Sequence, residues 1–258
     1  MNAPVCVKQR LASGESLGAI WLSLGSAAIA EFAAAAAPDL IVIDRQHGLW
    51  DRGSLEAAIG LARKTSVLVR LADHAPTSIS EALDAGAEGV IAPLVESAGQ
   101  ARAIVVAARF PPDGARSGGG VRPLKDFAAY VERARRDTIV GAMIETRAGV
   151  ERAREIAEVE GVDFVFIGTG DLSLSLGEFP TPGRRHAAAL IKILAACQQA
   201  QKPCGAFTGS AEAAARRSAE GFALVTVASD VDLLREGFSA ATQGFAQAFK
   251  QTRELPTS

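Results

Sequence analysis

Short apolar runs recur along this chain, each closed by a polar cluster and followed by a stretch of helical spacing. Residues 18–24 (GAIWLSL), 39–43 (DLIVI), 66–69 (SVLV), 89–95 (GVIAPLV), 138–144 (TIVGAMI), 163–167 (DFVFI), 203–208 (PCGAFT) and 224–228 (LVTVA) read as strands. Several are continuously apolar, as strands covered on both faces are. Between them, residues 26–36, 54–64, 77–85, 98–108, 147–159, 185–201, 211–220 and 231–249 read as helices, with an extra helix at 127–136. In residues 147–159, Val150, Ala153, Ile156 and Ala157 share one face, with Glu and Arg opposite. Strands joined by such crossover helices run parallel, because the connection is nearly always right-handed. Regular alternation of this kind predicts an α/β chain closed as a (β/α)8 TIM barrel, since closure leaves no edge strand. A doubly wound open sheet is the alternative. No linker or change of composition divides the chain, so residues 1–258 read as one domain.

Parallel strands deliver their carboxyl ends to one rim, so the residues just past each run can be read off together. They are Asp44 and His47, Arg70, Glu96, Glu145, then Thr169, Gly170, Asp171 and Ser173, then Thr208, and last Ser229 and Asp230. Glu145 and Asp171 end neighbouring strands. Two carboxylates so placed suit a divalent cation, which takes hard oxygen ligands; the plainer reading is a helix cap and a turn. His47 is either a loop histidine bonded to Asp44 for structure or a base oriented by Asp44. Arg70 ends an apolar strand, where a guanidinium needs a partner. It pairs with a rim carboxylate, meets an anionic substrate oxygen, or does both. His74 lies on the loop after the third strand and could line the entrance, and His186 reads as inert in a surface helix. Residues 111–123 (PPDGARSGGGVRP) form a long irregular segment that suggests a lid or binding loop.

Composition narrows the classes. The chain has 258 residues, 48% of them hydrophobic, and a net charge of −2. That gives no basic face for nucleic acid. No apolar run reaches the roughly 20 residues that span a bilayer. The first sixteen residues lack the apolar core of a signal peptide, so a cytoplasmic protein is expected. Cys6, Cys197 and Cys204 have no metal-ligand spacing and read as packing or surface residues. No lysine falls at a strand's carboxyl end, so a Schiff-base mechanism has no candidate, and carbonyl chemistry here would require a metal. GTGDLS (168–173) follows the sixth run and opens only a short turn, which argues against a nicotinamide fingerprint. The ELPTS ending reads as a frayed tail.

IVIDRQHG, VLVRLAD, GAEGVIAPLVES, PPDGARSGGG and MIETRAGVERAREIAEVEGVDFVFIGTGDLSLSLG together resemble the HpcH/HpaI aldolase family of metal-dependent pyruvate aldolases, over about residues 17–249. The resemblance implies Glu145 and Asp171 as ligands of Mg2+, Mn2+ or Co2+. It implies Arg70 on the keto or enolate oxygen, His47 with Asp44 in proton transfer, and the amides of Thr169, Gly170 and Asp171 on the substrate carboxylate. It further implies a keto acid and an aldehyde as substrates, and a homo-oligomer, commonly a hexamer, that exchanges its last helix between subunits. Gln46, GTGDLS and GARSGGG depart from the usual family pattern. Citrate formation or decarboxylation at the same site, and a keto-acid-binding barrel without turnover, are the alternatives.

Overall fold

The computed structural model describes residues 6–62 and 64–254. The strands are β1 (Leu17–Leu22), β2 (Leu40–Asp44), β3 (Ser66–Arg70), β4 (Gly89–Ala92), β5 (Ile139–Ile144), β6 (Phe164–Ile167), β7 (Cys204–Ala206) and β8 (Leu224–Ser229). They pair in sequence order, all parallel, into a closed barrel. The helices are α1 (Val7–Ala12), α2 (Ala27–Ala35), α3 (Arg52–Leu61), α4 (Pro76–Asp84), α5 (Ala98–Ala108), α6 (Phe127–Asp137), α7 (Arg147–Glu151), α8 (Ala153–Ala157), α9 (Thr169–Ser175), α10 (Arg184–Gln199), α11 (Ala211–Ala219) and α12 (Asp230–Glu254). The stretch expected as one helix at 147–159 is two short pieces that meet at Arg152. Residues 255–258 of the expected tail lie outside the described residues, as do residues 1–5. No helix among the described residues is long and apolar enough to cross a membrane.

Alternation along each strand builds two cores. Residues such as Ile41, Ile43, Val69, Ala142, Ile144, Val165 and Ile167 face the helices. Their neighbours Leu40, Val42, Leu68, Ile91, Ile139, Met143, Phe164 and Phe166 fill the barrel interior. Because successive side chains alternate, the interior column of β2 continues from Leu40 and Val42 to Asp44. That of β3 runs from Leu68 to Arg70, that of β5 from Met143 to Glu145, and that of β6 from Phe166 to Gly168. The strand period thus turns these polar residues inward at the carboxyl rim. Helix α1, not expected from the pattern, adds Val7 and Leu11 to the interior core at the other end.

Polar residues past the strands cap the next helix. Ser26, Asp51, Ser97, Thr146 and Ser210 each accept a backbone N–H of the first turn, worth about 1 kcal/mol apiece. Each of these strand ends is therefore held by the helix it starts.

The segment at 111–123 is not a lid over its own barrel. It connects α5 to α6 on the return from β4 to the start of β5, so it lies toward the amino-terminal rim, against α3 and the carboxyl end of α4. Arg116 is buried there, donating to Asp84 at 2.7 Å and to the Tyr130 hydroxyl at 2.6 Å, its guanidinium 4.5 Å from the Phe110 ring centre. Arg122 donates to the carbonyls of Ala85 and Glu56.

Candidate active site

The carboxyl rim encloses a cavity of about 240 Å³ whose lining includes Trp21, Asp44, Arg70, Met143, Glu145, Gly168, Thr169, Gly170, Asp171 and Phe207. A larger cavity of about 600 Å³ opens at the opposite rim beside Lys64 and Arg133. Two of its carboxylates, Asp39 and Glu88, are already engaged by Arg10 and the Val7 amide. Asp44, Arg70, Glu145 and Asp171 all line the smaller cavity.

Asp44 and Arg70 stand at paired positions of neighbouring strands. Arg70 donates through Nε to Asp44 Oδ1 at 2.8 Å and through Nη2 to Oδ2 at 2.5 Å. Its guanidinium also lies 5.1 Å from the Trp21 ring centre. A forked ion pair of this kind fixes both partners, and Asp44 takes two of the guanidinium's five N–H donors. Burial alone would raise the Asp44 carboxyl; the Arg70 hydrogen bond and charge outweigh it and hold it below its usual range.

The expected pairing of Asp44 with the His47 ring is not formed. Asp44 Oδ1 accepts the backbone amides of Gln46 at 3.0 Å and His47 at 3.2 Å, closing a tight turn. The imidazole instead points over the mouth, with Nε2 at 4.0 Å from Asp171 Oδ2. Its side chain is 62% exposed. His74 reaches the carbonyl of Pro93 and ties the loops after β3 and β4 together.

Glu145 and Asp171 come together as expected. Register pairs Ile144 with Ile167, so Glu145 stands opposite Gly168. A Cβ on Gly168 would sit 2.2 Å from Glu145 Oε2, so only glycine lets the carboxylate lie there. Glu145 is 1% exposed. Its Oε1 accepts the Leu94 amide at 2.8 Å, while Oε2 is buried with no hydrogen-bond partner among the described residues. Burial, and after it the facing Asp171, push the carboxyl up to about 7. No group of three or more His, Cys, Asp or Glu suited to a metal occurs among the described residues.

Thr169, Gly170 and Asp171 form the first turn of α9, whose leading amides have no intrahelical acceptor. Thr169 Oγ1 ties this turn to the end of β7 by donating to the Phe207 carbonyl at 3.0 Å, and within α9 Ser173 Oγ donates to the Gly170 carbonyl at 2.7 Å. His186, expected to be an inert surface residue, is buried, and its Nε2 lies 3.1 Å from the Thr169 carbonyl. The other strand-end residues shape the rim. Thr208 donates to the Thr226 carbonyl, Ser229 pairs with Asp232, and Asp230 accepts the amides of Ser23, Leu24 and Val231. Glu96 does not line the cavity. Trp21 and Phe207, absent from the strand-end residues, line it and meet edge to face at 5.3 Å. Both occupy the inward parity of their strands, the one signal in the sequence that marks them.

A barrel with paired carboxylates and a braced arginine at its carboxyl rim defines an enzyme-type site. Residues 18–247 match the family HpcH/HpaI aldolase/citrate lyase, and the chain belongs to that family of carbon–carbon lyases. It is 35% identical to a 4-hydroxy-2-oxovalerate aldolase of Rhodococcus jostii (strain RHA1), across 96% of this chain and 98% of that one. It is 38% identical to a hydroxypyruvate/pyruvate aldolase of Rhizorhabdus wittichii, across 88% and 92%. Among solved structures, an HpcH/HpaI aldolase/citrate lyase family protein from Burkholderia cenocepacia J2315 superposes with a TM-score of 0.88 at 32% identity, covering 93% of this chain and 98% of that one. The citrate synthase SbnG superposes with a TM-score of 0.85 at 29% identity, covering 95% and 99%.

Proposed function

We propose that this chain is a divalent-metal-dependent aldolase that joins the methyl carbon of pyruvate or hydroxymethyl carbon of hydroxypyruvate to an aldehyde, or cleaves the resulting 4-hydroxy-2-oxo acid. The observation that carries the reading is Glu145: a buried carboxylate with one oxygen unpartnered among the described residues, held against Gly168 beside Asp171. An unpaired buried carboxylate is costly, and a hard cation is the partner that its oxygen chemistry fits. Glu145 and Asp171 would hold Mg2+, Mn2+ or Co2+. Such an ion supplies Lewis acidity that polarises a keto carbonyl and acidifies the adjacent C–H.

The chain's own groups do the rest. The leading amides of α9 at Thr169, Gly170 and Asp171 receive the substrate carboxylate. Arg70, locked by Asp44, offers its Nη1 to the keto oxygen and offsets the charge that grows there as the enolate forms. His47, at the open mouth, moves the proton between substrate and solvent through water; with Asp44 committed to Arg70, the carboxylate nearest the imidazole is Asp171. The enolate carbon then attacks the aldehyde carbon, and the aldehyde oxygen takes up a proton; cleavage reverses both. A cavity of about 240 Å³ lies below the ~300–1,000 Å³ of drug-sized sites and suits a small keto acid.

The test is deuterium incorporation into the methyl group of pyruvate, followed by NMR with each metal and then with chelator. Metal-dependent exchange supports the reading, and no exchange with any of the three ions rejects it. The similarity to SbnG favours a second reading, condensation of a different enolate, that of an acetyl thioester, with an oxo-dicarboxylic acid, water then releasing the thiol to give citrate; product analysis separates the two.

Helix exchange and assembly belong to the proposal as well. Helix α12 leaves the barrel after Asp230 and exposes Leu233, Phe238, Phe245 and Phe249. Between β1, α2 and the first turns of α12, a groove of about 310 Å³ lined by Ile20, Leu22, Ile29, Phe32, Leu233 and Leu234 stands open. A second copy's α12 seated there would cover both surfaces.

A further inference from the structure

We propose that His186 is a positioning residue for Asp171, holding the loop that sets the distance between the two carboxylates of the site. The inference rests on the metal reading above. The Asp171 side chain is 40% exposed, and the side chains it faces are Glu145 and the His47 ring. Its place is set by the backbone of residues 168–171. That backbone is tied to the barrel by the Gly168 amide on the Ile144 carbonyl at 3.3 Å and by Thr169 Oγ1 on the Phe207 carbonyl. The tie from outside the barrel is His186, on the first turn of α10. A carbonyl only accepts, so His186 Nε2 carries the proton and donates it to Thr169.

His186 is itself held. Glu178, just past α9, accepts the amides of Gly183 at 3.0 Å, Arg185 at 3.2 Å and His186 at 2.8 Å, which caps α10. The Glu178 amide in turn donates to the Ser173 carbonyl at 2.8 Å. The tail of α9 therefore anchors the start of α10, and α10 returns through His186 to the head of α9. This closed clip makes α9 and the first turn of α10 one rigid unit. Partners that orient a metal ligand without touching the ion commonly change affinity 10- to 100-fold when removed.

The experiment measures Mn2+ affinity of the full chain by the EPR signal of free Mn2+, without substrate. His186→Phe keeps the ring and loses the donor; Mn2+ binding should weaken roughly tenfold or more. His186→Gln places an amide N–H near the Nε2 position and should return within about threefold of wild type. His186→Asn, polar but shorter, should resemble Phe. Wild-type affinity in His186→Phe, or equal loss in the Gln and Phe variants, overturns the inference. If His186→Phe does not fold, Gln against Asn decides on the same terms, equal affinities counting against it. Mn2+ binding by wild type that Glu145→Gln leaves intact would instead remove Glu145 from the ligand set, and absence of Mn2+ binding by wild type would remove the metal reading and this inference together.

Discussion

Replacing Glu145 with glutamine should stabilise the metal-free protein while destroying its capacity to bind an ion. The carboxyl is raised from 4.5 to about 7 by burial and then by Asp171, against the Leu94 amide and Arg70, which favour the charged form. Its folded value lies above its unfolded one. Between those two values the folded chain keeps a proton that the unfolded chain has released, so stability falls as pH rises through that window and stays low above it. At about 1.4 kcal/mol per pH unit, the loss amounts to about 3 kcal/mol. The substituted amide would keep an acceptor for the Leu94 N–H and turn a donor toward Asp171, with no charge to desolvate. For a chain of this size, about 3 kcal/mol corresponds to a melting shift of about 6–12 °C. The assay is thermal melting in chelator from about pH 5 to pH 8. The two proteins should melt together at the acid end and separate progressively, with Glu145→Gln higher at the alkaline end. Added Mn2+ should raise wild type alone. Parallel pH profiles, or a variant that melts lower near pH 8, would refute the reasoning.

Three further outcomes follow from the same geometry. Gly168→Ala introduces a Cβ 2.2 Å from Glu145 Oε2 and must push the carboxylate aside; Mn2+ affinity by EPR should drop roughly tenfold or more, with the barrel's circular dichroism unchanged. Arg70→Lys keeps the charge but loses the fork to Asp44; the rate of pyruvate methyl exchange should fall by about two orders of magnitude, with a melting decrease from the weakened buried pair. Light scattering should give a mass of several chains, and Phe238→Glu on the exposed face of α12 should lower it; a wild-type monomer would contradict helix exchange.

The barrel is legible in the sequence because its physics is local and repetitive. Apolar runs alternating with helical stretches leave few ways to bury both, and parallel closure brings Asp44, Arg70, Glu145 and Asp171 to one rim whatever lies between them. Within that rim the sequence misleads where neighbours in the chain are not neighbours in side-chain space. His47 lies three residues after Asp44, yet that spacing closes a backbone turn and sends the ring away from the carboxylate. His186 sits in a helix of mixed polarity, and nothing in its spacing shows that its face meets α9. Length alone makes residues 111–123 look like a lid; their place after α5, with only α6 before β5 begins, assigns them to the far rim. Helix α1 spans six residues, too short for periodicity to speak, and only Val7 and Leu11 mark it. Trp21 and Phe207 pass for ordinary core residues, although the parity that turns Glu145 inward applies to them equally.

The central claim is that a divalent ion sits between Glu145 and Asp171. A crystal of the full chain grown with Mn2+, measured at the manganese absorption edge, tests it directly. The account predicts one anomalous peak within coordination distance of an oxygen from each of these two side chains. A peak elsewhere, or none at all, would contradict it.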